Sequence, residues 1–184
     1  MKTLISNLAK EGIYPSTSNE DEIKFNEGYE SYEFYKALLD SVKERLYVFG
    51  RKNRKLFTKN NTKIKKLIDA GIDFKCLFLS EKSDERILNM AQENDNFKKD
   101  LTKVIEGVKQ RYKDNLEHFR KYDFQQIKRI MIVDDAVIFV PVEFENSKVK
   151  HFTKSSFSII PLESKKGMDL ELEFKKVWDS SKEI

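Results

Sequence analysis

The chain reads as an α/β domain with a mixed, partly parallel sheet flanked by helices, and three observations predict it. A buried strand, a helix and a second buried strand follow one another from Leu46 to Leu79. A hydrophobic hairpin with a two-acid turn runs from Ile127 to Val142, and an amphipathic stripe of Leu170, Phe174, Val177 and Trp178 closes the chain. Strand, helix, strand at this spacing is the right-handed crossover that joins parallel strands, whereas a hairpin joins antiparallel ones. The 184 residues suffice for one core, so we expect a single domain over 30–184 preceded by an N-terminal extension over 1–29.

The extension mixes Gly12, Pro15 and a Ser/Thr/Asn cluster without a sustained hydrophobic period, which predicts a short helix and then a loop. From Ser31, placed as a cap, Tyr35, Leu38, Leu39, Val42 and Leu46 recur on one helical face. Leu46 to Gly50 is the first buried strand. Thr62 is placed to cap a second helix carrying Ile64, Leu67 and Ile68 and ending at Gly71, and Ile72 to Leu79 follows as the next strand. Asp84 to Glu117 reads as helical throughout, with a break at 94–96 and a core stripe of Phe97, Leu101, Val104, Ile105, Val108 and Tyr112. Asp134 and Asp135 suit the hairpin turn, and Phe152 to Leu162 supplies a further strand.

Composition excludes several classes. Fourteen Phe and seven Tyr argue against disorder, although 36% of residues are charged. The net charge is only +4, so the surface is mixed. The single cysteine, Cys76, lies in an apolar run and allows neither a disulfide within the chain nor a cysteine metal site. With no apolar run of membrane-spanning length and no leader pattern, the expectation is a cytoplasmic protein with no membrane partner.

Between Arg51 and Ile68 there are eight basic residues and no acidic one. The first of them, Arg51, Arg54 and Lys55 among them, leave the carboxyl end of a predicted strand, where ligands of open α/β sheets bind. This favours a phosphate-bearing partner, a nucleotide or nucleic acid. Arg51 and Arg54 are the favoured pair because a guanidinium holds phosphate with a planar fork. The same run also reads as an ordinary solvated face. His118 and His151 are the only histidines; His118 sits where it would close a long helix. Asp134 and Asp135 read as turn formers rather than metal ligands, and neither a metal nor a cofactor is expected.

Ile127, Arg129 and Asp134 stand at the spacing H-x-K-x4-D, with isoleucine at the histidine and arginine at the lysine. The order of elements from Phe34 to Leu79, including Val48-Phe49-Gly50 and Ala70-Gly71, and the closing Phe174-x-x-x-Trp178, resembles the phospholipase D-like superfamily over roughly residues 30 to 180. The resemblance implies that fold. It also implies that the histidine nucleophile is missing, so the domain is catalytically inactive. The segment Pro141-Val142-Glu143-Phe144 replaces the family's glycine-serine-x-asparagine. Arg129 and Asp134 remain as positions able to hold an anion. Single-motif members pair across a two-fold axis, so a homodimer is implied, in a bacterial regulatory or defence setting. Two alternatives stay open: an active nuclease or phosphodiesterase using His118 or His151, and a protein-interaction module presenting Phe144 or Phe152.

Overall fold

The computed structural model describes residues 1–29, 31–90, 96–125, 128–141, 144–145, 148–149 and 156–184. In chain order the first half comprises α1 (Lys2–Lys10), β1 (Thr17–Ser18), β2 (Ile23–Phe25), α2 (Tyr32–Ser41), β3 (Arg45–Phe49), α3 (Arg54–Asp69) and β4 (Asp73–Leu79). Next come α4 (Glu85–Met90), α5 (Phe97–Arg111), a 3-10 turn at Leu116–His118, β5 (Phe119–Tyr122), β6 (Lys128–Val133) and β7 (Ala136–Pro141). The chain closes with β8 (Phe144–Glu145), β9 (Lys148–Val149), β10 (Phe157–Pro161), α6 (Lys165–Ser180) and β11 (Lys182–Glu183).

Among the described residues the main sheet has nine strands in the order β1-β2-β10-β7-β6-β3-β4-β5-β11. β3, β4 and β5 are mutually parallel neighbours, and the other pairings are antiparallel, which is the mixed sheet expected. Helices cover both faces. On one, Phe57 of α3 and Tyr112 after α5 pack against Phe119, and Phe57 also meets Phe78. On the other, Phe174 of α6 stacks on Tyr47, with ring centroids 5.1 Å apart, and meets Phe49 edge-on.

Several elements follow directly from local signals. The Ser31 hydroxyl accepts the Phe34 N–H at 2.9 Å, and α2 buries Phe34, Tyr35, Leu38 and Leu39. α6 buries Leu170, Phe174, Val177 and Trp178 as its stripe predicts. The α5 stripe is likewise buried at Phe97, Leu101, Ile105, Val108 and Tyr112, with Val104 partly so.

Three expectations are corrected. α3 begins at Arg54 rather than at Thr62, because its apolar stripe starts at Leu56 and Phe57, about two turns earlier. Thr62 is therefore an exposed mid-helix residue. The helical reading up to Glu117 fails after Arg111: Phe119 and Tyr122 bury opposite sides of a strand whose interior, Arg120 and Lys121, hides it in a charged run. Residues 1–29 also do more than precede the fold. Leu4, Leu8, Phe25 and Tyr29 are buried in the same core, β2 pairs with β10, and Phe25 stacks on Phe157 at 4.5 Å. Of the strand expected over Phe152 to Leu162, the described part is Phe157–Pro161.

Candidate anion site at the carboxyl end of the central strands

β3 hands its chain to α3 through Gly50, Arg51, Lys52 and Asn53. Gly50 N–H donates to the Leu77 carbonyl at 3.4 Å, and the Arg51 carbonyl accepts the Leu79 N–H at 3.0 Å, so the segment stays bound to β4 past the end of the strand. Asn53 then turns the chain with φ of 50°, a left-handed conformation that asparagine tolerates. Its carboxamide donates to the Leu77 carbonyl at 2.9 Å. A Cβ on Gly50 would lie 2.0 Å from Asn53 Oδ1, which is why a glycine closes this strand.

The pairing of β3 with β6 brings distant cations together. Phe49 is in register with Ile130, so the next residues outward, Gly50 and Arg129, flank each other and Arg51 follows at once. Tyr122, at the end of β5, donates its hydroxyl hydrogen to the Gly50 carbonyl at 3.2 Å. Burial pushes the Tyr122 phenol well above the ordinary tyrosine value, while the positive charges of Arg51 and Arg129 pull the other way. Arg51 is buried, with 3% exposure, and Lys52 with 9%. Arg129 is half-buried, its guanidinium 5.9 Å from the Tyr29 ring centroid.

Lys52 lies over the Phe97 ring at 4.9 Å and 3.9 Å from the Asp100 carboxylate. Arg54, more than half exposed, donates to that same carboxylate at 3.0 Å. Lys55 is exposed on the first turn of α3. Residues 51–55 therefore form a graded cluster in place of the uniform loop expected from the sequence, with the buried charges at the strand end and the solvated ones on the helix. Lys52, Tyr122 and Phe124 were not singled out by sequence reasoning; the apolar alternation of Tyr122 and Phe124 is the signal that points to them.

Asp134 is not part of this cluster. It sits at the other end of β6 from Arg129, about 16 Å away at the usual rise per strand residue. With φ of 49° it turns the hairpin. Its carboxylate accepts the backbone N–H groups of Lys43, Glu44 and Arg45 at 3.1, 2.9 and 3.1 Å, holding the entry to β3. Asp135 pairs with the amino group of Met1. His118 also lies at the amino end of its strand: its Nδ1–H donates to the Phe74 carbonyl at 2.8 Å, away from Arg129. The expected helix-capping role is replaced by this bond, since α5 has already ended. Ile127, His151 and Phe152 lie outside the described residues, as does the side chain of Phe144.

No protein-family model and no curated protein sequence matches this chain. Solved structures do resemble it. TrmBL2, an archaeal chromatin protein whose structure shows a novel mode of DNA binding, matches 100% of this chain and 60% of its own, at 13% identity and a TM-score of 0.57. Phosphatidylserine synthase of Haemophilus influenzae Rd KW20 matches 97% of this chain and 44% of its own, at 12% identity and 0.59. NucT from Helicobacter pylori matches 89% and 98%, at 12% identity and 0.51. The chain thus spans 60% and 44% of the first two. At such identities the likeness is one of fold. By fold the chain is phospholipase D-like, a mixed sheet of parallel and antiparallel strands flanked by helices.

Proposed function

We propose that this is a catalytically inactive phospholipase D-like domain that binds a phosphate-bearing ligand, a nucleotide or nucleic acid, in a bacterial regulatory or defence role in the cytoplasm. The observation that carries the reading is the meeting of Arg51 and Arg129 beside Tyr122 at the carboxyl end of the parallel strands. Charges brought out of water at this end of an α/β sheet are typical of a ligand site. Arg54 and Lys55 extend the positive charge outward along α3. Asp134, at the opposite end of β6, holds the hairpin turn and the entry to β3 and lies outside this site. The loss of catalysis rests on Ile127 at the histidine position, which offers no nucleophile. DNA binding by TrmBL2, which this chain resembles in fold, favours a nucleic acid. Among the described residues no helix is long and apolar enough to cross a membrane. Two copies related by a two-fold axis would juxtapose two such sites.

The test is binding of labelled DNA, RNA and a nucleotide panel at low and moderate salt, with wild type compared against Arg129→Ala and the Arg51→Ala/Arg54→Ala pair. Salt-sensitive affinity that both variants lose supports the reading. Equal affinity in all three proteins, each shown folded by circular dichroism, removes it. Sedimentation at micromolar concentration reads the oligomeric state.

A further inference from the structure

The large apolar side chains left exposed among the described residues are Tyr14, Tyr32, Phe124, Met168 and Leu172. Phe124 stands apart because it belongs to the carboxyl end of the central strands, two residues beyond Tyr122. Its ring centroid is 5.0 Å from that of Tyr122 and 6.3 Å from that of Phe49. The side chain thus packs against two buried aromatic rings while the residue stays 40% exposed. Tyr122, one of the rings it packs on, lies in the field of Arg51 and Arg129, so an exposed aromatic side chain one ring away from those cations suits a nucleobase attached to a phosphate that they hold.

We propose that Phe124 is a stacking platform for an unpaired nucleobase, so that the ligand is a single-stranded nucleic acid whose phosphate lies on Arg51 and Arg129. This rests on the phosphate reading above and narrows it. In a duplex both faces of each base are covered by neighbours, and only a terminal or unpaired base can lie on a side chain. Stacking of this kind tolerates any base, because each offers a π-face, and it changes affinity by roughly ten- to a hundredfold.

The experiment uses the full chain and three labelled probes of equal length: oligo-dT, an abasic strand with the same phosphates, and a duplex. Wild type is compared with Phe124→Leu, Phe124→Trp and Arg129→Ala, with thermal melting to show that each is folded. The expected result is oligo-dT binding about tenfold tighter than the abasic strand in wild type and in Phe124→Trp, with that preference lost in Phe124→Leu and abasic affinity unchanged. An equal preference for oligo-dT in Phe124→Leu overturns the proposal, as does equal wild-type affinity for oligo-dT and the abasic strand. Duplex binding as tight as oligo-dT overturns it too. Failure of the underlying phosphate reading shows differently, as an abasic strand that wild type does not bind or that Arg129→Ala binds equally well.

Discussion

The two ends of the central strands are built from similar residues and put to different use. At the amino end of β3 charges hold the backbone and one another: Asp134 takes three backbone N–H groups, Arg45 donates to Glu171 at 2.7 Å and to the Asp134 carbonyl at 3.0 Å, and Met1 meets Asp135. At the carboxyl end Arg51 and Lys52 are buried, Lys52 over the Phe97 ring, and Arg51 directly follows Gly50, the residue that flanks Arg129. Arg129 and Asp134 stand five residues apart in sequence, yet a single strand places one at each end. The lesson is that motif spacing along a strand separates roles as readily as it joins them.

The largest expected effect tests the amino end. Asp134→Ala removes an ionised acceptor of three N–H groups and puts alanine at positive φ, and we expect a loss of about 3 kcal/mol in denaturant unfolding. If that end is purely structural, anion affinity of the folded protein stays unchanged. Gly50→Ala is its counterpart at the carboxyl end. The added Cβ displaces the Asn53 carboxamide from Leu77, costing about 2 kcal/mol and, unlike the first variant, weakening anion binding as well. A Gly50→Ala protein with wild-type affinity would break the comparison.

Arg129→Ala is expected to weaken binding about tenfold and to lower the salt slope by about one phosphate contact, with little change in melting, since its charge is half-buried. The pH profile sharpens the picture further. Tyr112 and Tyr122 both have phenols raised above the ordinary value by burial, so the folded state holds protons that the unfolded chain releases at about pH 10, the free tyrosine value. Their contribution is complete below that pH and is lost as pH climbs toward the folded values. Alkaline unfolding followed by tyrosinate absorbance should therefore show these two ionising together with the unfolding transition, and Tyr112→Phe/Tyr122→Phe should flatten the alkaline loss. The smallest effect belongs to Arg54→Ala: removing an exposed partner of Asp100 should change stability by about 0.5 kcal/mol and affinity only at low salt.

Much of the fold was legible because it is locally encoded. Ser31 before the stripe of α2, the two acids between the apolar runs of β6 and β7, and the spaced aromatics of α6 each carry their own signal. β5 was not legible, because four residues with two charges at their centre offer no period of their own and are strand only by lying beside β4. The start of α3 was misplaced for a related reason: Leu56 and Phe57 become a core face only once α3 lies against β4 and β5. Of the candidate site residues, Arg51 and Arg129 were brought together, Arg54 and Lys55 lie at its edge, and Asp134 was carried away.

The amino-acid sequence by itself determined the alternation of strand and helix, the hairpin and its turn, and the basic run after the first buried strand, since periodicity, caps and turn residues act over a few neighbours. Only the tertiary structure decided that Gly50 flanks Arg129, that Tyr122 bonds the Gly50 carbonyl, that Phe124 remains exposed on the Tyr122 ring, and that His118 and Asp134 serve the opposite end. Those placements depend on strand order and register between segments some 80 residues apart, and pairing over such separations is set by the burial of the whole sheet.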